Sequence, residues 1–125
     1  MNISGKVVSG DRVGRKLGYP TANLDRRSFS RRKLKLKLGV YAGFAELKIK
    51  NLKLKNYQAA IIIGPIDRKG LPKIEVHLLK FKGNLYGKKL TVSLGKYIRP
   101  FKKFKSEAEL KLQIAQDIKL IKILR

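Results

Sequence analysis

Cysteine and tryptophan are absent from this chain of 125 residues, and histidine and methionine occur once each. Without cysteine there is no disulfide framework, no thiolate zinc site and no cysteine nucleophile. His77 alone gives little support for a transition-metal site or a Ser/His/Asp triad, and a structural histidine is favoured. No apolar run approaches the roughly 20 residues of a membrane span, and residues 1–6 lack the apolar region of a signal peptide. We therefore expect a cytoplasmic protein without a membrane partner.

Acidic residues are also scarce, with 8 Asp and Glu against 31 Lys and Arg, so the formal net charge is +23. A field of this sign attracts anions such as nucleotides, nucleic acid or acidic membranes. The lysines are spread along the whole chain, which favours a solvated basic surface for most of them. A hydrophobic content of 43% is enough to form a core, and the length fits one domain over residues 1–125.

Period-two patterns predict a mainly β fold. Lys33 to Leu38 alternates strictly between lysine and leucine, as in a strand with one buried face. Strands without intervening helices should be antiparallel, and a short chain protects its sheet edges by closing into a barrel. We predict about six strands, at residues 3–9, 33–45, 46–55, 57–63, 74–81 and 85–94, with a hairpin turn near Asn51 and a strand end at Gly64-Pro65.

The last segment changes to a helical period. Ser106 followed by Glu109 forms a capping box, which marks a helix N-terminus. The apolar residues then recur at i, i+4, i+8 and i+11, on one face of a helix; they are Leu110, Ile114, Ile118 and Ile121. We expect this C-terminal helix to pack on the outside of the barrel.

A glycine-rich loop is predicted from Gly10 to Pro20. Its glycines are spaced four apart and lie among cationic residues, an arrangement that suits a polyphosphate. The loop is not a Walker A motif, because Gly-Lys-Ser/Thr is missing. On spacing alone an ordinary turn is favoured. The residues concerned are Gly10, Gly14 and Gly18, with Arg12, Arg15 and Lys16.

The segment after this loop offers oxygen ligands. Thr21 and Asn23 stand two residues apart, so in an extended backbone they face the same way. A hydroxyl and an amide oxygen are ligands that magnesium accepts together with phosphate oxygens. A helix cap or an Asx-turn is the competing interpretation.

Glu75 is a carboxylate in the middle of a predicted strand, between Ile74 and Val76. A carboxylate in this position could accept a proton from a substrate hydroxyl. The competing interpretation is a solvated strand residue paired with a lysine.

Several motifs, in this order and spacing, resemble the riboflavin kinase (flavokinase) family. This is the ATP-dependent type found in eukaryotes and as the C-terminal module of bacterial bifunctional FAD-synthesis enzymes. Singly the motifs are weak, but together they cover nearly the whole chain. They are residues 5–10, 14–23, 39–42, 74–81, 85–87, 97–100 and 103–106.

The resemblance implies a six-stranded antiparallel Greek-key barrel with a C-terminal helix. It implies transfer of the γ-phosphate of ATP to the ribityl 5′-hydroxyl of riboflavin, giving FMN and ADP, with Mg2+ bound alongside ATP. Glu75 would be the catalytic base, and Thr21 and Asn23 would hold magnesium and the phosphates. The other implied contacts are Gly10, Arg15, Leu78, Lys80 and Tyr86 for ATP, and Arg99, Lys102 and Phe104 for the flavin.

The chain also departs from the family pattern. The family usually has an asparagine before Ile-Gly and a Pro-Thr soon after, whereas residues 59–66 here read Ala-Ala-Ile-Ile-Ile-Gly-Pro-Ile. An acid usually follows within two residues of the arginine that corresponds to Arg99, whereas Pro100 and Phe101 follow here. These departures concern the flavin pocket, so a kinase with a changed or lost acceptor specificity stays open.

The alternative from another class is a basic β-barrel that binds nucleic acid without catalysis. It would need a basic groove with aromatic residues that stack on bases. Because most tyrosines and phenylalanines lie in strand-like apolar runs, core packing is favoured for them. Nucleic acid is therefore not the expected partner, although the charge permits it, and we expect a monomer.

Overall fold

The computed structural model describes residues 2–8, 21–25, 37–49, 53–66, 70–81, 83 and 85–124. Six strands and one helix lie within these ranges. They are β1 (Asn2–Val8), β2 (Ala22–Leu24), β3 (Gly39–Ile49), β4 (Lys53–Ile66), β5 (Pro72–Leu78), β6 (Lys89–Arg99) and α1 (Glu107–Ile123).

The strands form a closed barrel in the order β1-β2-β5-β4-β3-β6, and every pairing is antiparallel. β3, β4 and β5 follow one another as a meander, and β6 returns to pair with β3. This return connection is the Greek-key arrangement. The predicted fold class, a six-stranded antiparallel Greek-key barrel with a C-terminal helix, is confirmed.

Alternate residues of each strand fill the barrel interior. Ile61, Ile63 and Val76 are fully buried there, because successive strand side chains point to opposite faces. The residues between them, Ile62 and Glu75 among them, face outward. On β4 the apolar run at residues 57–63 is therefore buried from both sides, with the barrel core inside and a second, smaller cluster outside.

Several strand limits differ from the predicted ones. β4 continues through Gly64 and Pro65 to Ile66, because its pairing with β5 shifts by one residue between Ile63 and Ile66. A bulge of this kind accommodates a proline, which has no N–H for the ladder. Residues 85–88 form a turn rather than a strand, with Lys88 N donating to Leu85 O at 3.0 Å, and β6 runs to Arg99 instead of Leu94.

The helix α1 begins where the capping box predicts. Ser106 Oγ accepts a hydrogen bond from Glu109 N at 3.2 Å, and Glu109 Oε2 accepts one from Lys105 N at 3.0 Å. Ile121 is the buried apolar residue of the helix, and it packs on Ala42 and Ala60 of the outer barrel face. The helix therefore covers β3 and β4 from outside, as predicted.

Candidate active site

One row of neighbouring residues crosses the outer face of five strands. Asn23 of β2 pairs with Glu75 of β5, and Glu75 pairs with Ile62 of β4. Ile62 pairs with Val40 of β3, and Val40 pairs with Arg99 of β6. Directly paired residues in an antiparallel sheet share a face. The row therefore places polar groups at both ends of a face that is apolar in between.

Thr21 and Glu75 meet at one end of this row. The Thr21 hydroxyl donates to Glu75 Oε2 at 3.3 Å. Ala22 is buried in the barrel interior, so Thr21 and Asn23 on either side of it face outward together. The short strand β2 thus brings a hydroxyl and an amide beside the carboxylate of β5.

A cleft of about 190 Å³ lies between this outer face and the side of α1 that carries Leu110, Ile114 and Ile118. Its floor is apolar, because Val40, Ala60 and Ile62 point into it from β3 and β4. Small-molecule sites in proteins are mostly apolar with a few polar groups that fix orientation. The remaining lining residues are Thr21, Glu75, His77, Arg99, Phe101, Lys102, Phe104, Leu110, Ile114, Asp117 and Ile118.

Arg99 and Asp117 form an ion pair at the opposite end of the cleft from Glu75. Arg99 Nε lies 3.0 Å from each carboxylate oxygen, and Nη2 lies 2.8 Å from Oδ2. Gln113 Nε2 donates to Asp117 Oδ1 at 3.0 Å, and Arg99 Nη1 donates to Pro100 O at 3.2 Å. This bidentate contact ties the end of β6 to the middle of α1.

A register shift explains how Arg99 reaches the cleft. The pairing of β3 with β6 shifts between Val40 and Tyr41. Tyr97 consequently packs against the interior core, whereas Ile98 packs against the outer cluster and Arg99 lines the cleft. In a strand without this shift, the neighbours Ile98 and Arg99 would point to opposite faces.

Two tyrosines fix the backbone that enters β3 beside the cleft. Tyr41 OH donates to Lys37 O at 2.6 Å, and Tyr97 OH donates to Leu38 O at 2.9 Å. The rings meet edge to face with centroids 5.1 Å apart. Burial, and secondly the neighbouring Tyr97, raises the pKa of the Tyr41 hydroxyl above its usual 10.0. Val40 is thereby held in position on the cleft floor.

The residues expected to contact the flavin meet at the Arg99 end. Arg99, Lys102 and Phe104 all line the cleft, and the Arg99 guanidinium carbon lies 5.9 Å from the centroid of the Phe104 ring. A guanidinium near the face of an aromatic ring is favoured electrostatically. The structure therefore brings these three residues together.

The residues expected to contact ATP are more dispersed. Gly10 and Arg15 lie outside the described residues. Leu78 is only 5% exposed and its side chain belongs to the barrel core, so a nucleotide could reach only its backbone. Lys80 is exposed at the end of β5, and Tyr86 is 65% exposed in the following turn. Neither lines the cleft between barrel and helix.

The donor atoms near Thr21 fit a magnesium ion that is shared with phosphates. Thr21 and Asn23 supply a hydroxyl and an amide carbonyl on the face that also carries the Glu75 carboxylate, and such hard oxygens suit Mg2+. Across the described ranges, no three His, Asp or Glu side chains group together to hold a metal. The donor set thus suits an ion that keeps phosphate and water ligands, rather than an ion caged by protein alone.

Asp117 is the site residue that sequence reasoning missed. The family pattern leads us to expect the acid within two residues of Arg99, where Pro100 and Phe101 stand. The carboxylate instead comes from a position 18 residues further along the chain. The sequence did contain a signal for this residue, because Asp117 is an acid on the apolar face of the predicted helix.

The fold belongs to the class of closed Greek-key barrels. Its outer-face cleft has a carboxylate and a hydroxyl at one end and an ion pair at the other, an arrangement typical of small-molecule sites. The family profile described as Flavokinase: Riboflavin kinase matches residues 1–124. The chain belongs to the riboflavin kinase family.

Relatives and solved structures agree with this assignment of family and fold. The bifunctional riboflavin kinase/FMN adenylyltransferase of Buchnera aphidicola subsp. Schizaphis graminum is 40% identical in an alignment of 125 positions that covers 97% of this chain. The chain spans 38% of the length of that relative. Riboflavin kinase from Trypanosoma brucei shares the fold with a TM-score of 0.75 at 24% identity, over 98% of this chain and 75% of that one.

A Streptococcus pneumoniae crystal structure described as a macrolide-efflux protein has a TM-score of 0.78 at 28% identity. The match covers 97% of this chain and 38% of that one. Because most of that protein lies outside the match, its description does not transfer to this chain. None of the helical structure in the described ranges combines the length and apolar character of a membrane span.

Proposed function

We propose that this chain transfers the γ-phosphate of ATP to the ribityl 5′-hydroxyl of riboflavin, producing FMN and ADP. The observation that carries the proposal is the Glu75 carboxylate, beside the Thr21 hydroxyl, at the polar end of a largely apolar cleft. Family membership and the name of the Buchnera relative support riboflavin as the acceptor.

Glu75 is proposed as the catalytic base. Its carboxylate accepts the proton of the 5′-hydroxyl while the oxygen forms a bond to the γ-phosphorus and the bond to the β-phosphate oxygen breaks. Phosphoryl transfer depends mainly on positioning and charge neutralisation, so a single base suffices on the protein side. The hydrogen bond from Thr21 holds the Glu75 carboxylate in place on the outer face of β5.

Thr21 and Asn23 are proposed to hold magnesium and the phosphates of ATP. Bound Mg2+ supplies neutralisation of the phosphate charge. Gly10 and Arg15 are proposed to contact the phosphates, and Lys80, Tyr86 and the backbone of Leu78 to border the adenine. These nucleotide contacts follow from the family resemblance and from the position of Lys80 and Tyr86 after β5.

The acceptor end is proposed to lie at Arg99, Lys102 and Phe104. Glu75 and Arg99 are three strand spacings apart around the barrel wall, an arc of roughly 14 Å measured along the curved sheet. An elongated acceptor with a flat ring at one end and the reacting hydroxyl at the other fits this separation. The apolar floor formed by Val40 and Ile62 matches the ring system of a flavin.

We further propose that residues 1–125 act as one riboflavin kinase domain, monomeric and cytoplasmic, with riboflavin, FMN, ATP and ADP as its ligands. The nucleic-acid alternative is not favoured. Stacking on bases requires exposed aromatic residues gathered in a basic groove. Four of the described aromatic residues, Tyr41, Tyr57, Phe81 and Tyr97, pack against the barrel core instead, and the exposed Phe44, Tyr86 and Phe101 lie on different elements: β3, the turn before β6 and the segment after β6.

The test is to incubate the protein with Mg-ATP and riboflavin and to separate the products by reversed-phase chromatography. We expect FMN and ADP in equal amounts, and no FMN when magnesium is chelated. ADP without FMN would indicate a kinase with another acceptor. Neither product from a folded protein, together with steeply salt-dependent polynucleotide binding, would favour the nucleic-acid alternative.

A further inference from the structure

We propose that Asp117 is a positioning residue for the acceptor: it acts through Arg99 and sets the affinity of the cleft for the flavin ring rather than the rate of phosphoryl transfer. This inference rests on the proposed function and extends it to a residue on α1. Asp117 is 6% exposed and is the buried charged residue of the described chain.

The contacts of Asp117 show that it acts indirectly. Oδ1 accepts from Arg99 Nε and from Gln113 Nε2, and Oδ2 accepts from Arg99 Nε and Nη2. Both oxygens are thus engaged by protein donors. A carboxylate with both oxygens occupied has little capacity left for a ligand, so its effect on a substrate passes through the guanidinium that it holds.

The same contacts define what Arg99 offers to the cleft. Asp117 takes the Nε–H and one N–H of Nη2, and Pro100 O takes one N–H of Nη1. Among the described residues each terminal nitrogen keeps a second N–H. Because the guanidinium is planar and its nitrogens are rigidly connected, anchoring one edge on Asp117 fixes the direction of the other. Arg99 is 18% exposed, so this outer edge remains within reach of a ligand.

Pairing with Asp117 also neutralises most of the charge of Arg99. The chain carries a net charge of +23, and an unpaired guanidinium in a cleft of low polarity would attract the polyphosphate of ATP or the phosphate of FMN. Paired with Asp117, Arg99 is a directed hydrogen-bond donor with little net charge. Such a donor suits a neutral, flat heteroaromatic ring with carbonyl oxygens and nitrogen acceptors, the chemical class to which the flavin ring belongs.

The first experiment compares the wild type with Asp117→Asn, an isosteric change that removes the charge. Losing one charge-assisted contact should raise the KM for riboflavin by about 10- to 100-fold, with kcat and the KM for ATP changed less than about threefold. Quenching of riboflavin fluorescence on binding, measured without ATP, should weaken by the same factor. Glu107→Gln, an exposed helix carboxylate that does not line the cleft, should change neither value.

The second experiment separates positioning from a purely structural tether. The exchanged pair Arg99→Asp with Asp117→Arg restores an ion pair between β6 and α1, so the melting temperature should recover relative to Asp117→Arg alone. Riboflavin binding should stay weak, because a carboxylate now faces the ring. This pair also provides the test if Asp117→Asn fails to fold.

The outcomes are distinct. Wild-type FMN formation with an unchanged riboflavin KM in Asp117→Asn would overturn the role of Asp117 alone. Recovery of both melting temperature and riboflavin affinity in the exchanged pair would show that the contact is only structural. A wild type that neither binds riboflavin nor makes FMN would overturn the proposed function and this inference together.

Discussion

The hydroxyl of Thr21 donates a hydrogen bond to Glu75 Oε2 across 3.3 Å, although the two residues are 54 positions apart. The contact exists because β2 pairs with β5, with Asn23 opposite Glu75. Two segments that sequence motifs mark separately, one for phosphate handling and one for proton transfer, therefore meet at one end of the cleft.

Replacing Glu75 by glutamine should lower turnover by about 10²- to 10⁴-fold, the usual contribution of a general base. The amide keeps the size of the side chain and can still accept the hydrogen bond from Thr21, so ATP binding should remain close to wild type. FMN formation measured by chromatography, and ATP affinity measured by calorimetry, separate the two effects.

Glu46→Gln is the matched control for this variant. Glu46 lies on β3, is half-buried like Glu75, and does not line the cleft, so its variant should retain activity. Near-normal FMN formation by Glu75→Gln would exclude Glu75 as the base.

Replacing Thr21 by valine should raise the magnesium concentration that gives half the maximal rate by about tenfold, which corresponds to about 1.4 kcal/mol of lost binding free energy. Valine has nearly the same shape as threonine, so the change removes the hydroxyl oxygen that is proposed to contact the metal. The rate is measured as a function of free Mg2+ at saturating ATP.

Thr91→Val serves as the control for Thr21→Val. The Thr91 hydroxyl lies 2.9 Å from that of Ser4, in the pairing of β1 with β6 and away from the cleft. Its loss should affect stability but not the magnesium dependence. Equal shifts in both variants would argue against a metal contact at Thr21.

Local patterns predicted much of the fold, because they depend on neighbours in the sequence. The helix after Ser106 follows from its cap and its apolar period, and the alternating residues 46–49 and 53–55 lie in the paired strands β3 and β4. The turn predicted near Asn51 lies outside the described residues. The short strand β2 was not predicted, since residues 22–24 are ordered by pairing with β1 and β5 rather than by any pattern of their own.

The residues of the candidate site also differ in whether the sequence could predict them. Glu75, Thr21 and Asn23 could be singled out from residue type and family resemblance. The ion pair of Arg99 with Asp117 could not, because it depends on how α1 lies across the end of β6 and on the register shift near Tyr41. The helical period indicates which face of α1 packs on the barrel, but it does not indicate which strand residue Asp117 meets.

Tyr41→Phe should make the protein less sensitive to high pH. Burial raises the pKa of Tyr41 in the folded state above 10.0, so above that pH the unfolded chain loses this proton while the folded chain retains it. Stability is therefore fully present below pH 10 and falls as the pH rises through the folded-state pKa. Urea unfolding followed between neutral pH and the alkaline range should show a shallower decline for the variant.

At neutral pH the same variant should be less stable by about 0.5–1.5 kcal/mol, because the Lys37 carbonyl loses its hydrogen bond. Tyr86→Phe is the control, since Tyr86 is 65% exposed. An alkaline decline as steep in Tyr41→Phe as in the wild type would show that Tyr41 does not cause it.

Gly39→Ala should destabilise the fold strongly and weaken riboflavin binding. Gly39 has a φ of +146°, and a Cβ there would collide with the Arg99 carbonyl oxygen and lie 2.7 Å from the Tyr97 hydroxyl. The carbonyl belongs to the β6 backbone and cannot rotate away, so accommodation would displace Arg99 from the cleft wall. The combined backbone strain and overpacking should cost roughly 2–5 kcal/mol in the free energy of unfolding.

Alanine variants of two other glycines separate the effect of backbone strain from the effect of overpacking. Gly70 has a φ of +78° with nothing within 4 Å of an added Cβ, so Gly70→Ala carries strain without collision and should cost only about 1–2 kcal/mol. At Gly43 the added Cβ would meet the Ser93 carbonyl oxygen without a positive φ, so Gly43→Ala carries collision without strain. Urea unfolding should rank Gly39→Ala above Gly70→Ala in destabilisation, and riboflavin fluorescence should report weaker binding for Gly39→Ala than for Gly70→Ala. Equal losses of stability in Gly39→Ala and Gly70→Ala would mean that β6 moves aside freely at Arg99. That result would contradict the rigid cleft wall that the Asp117 contact implies.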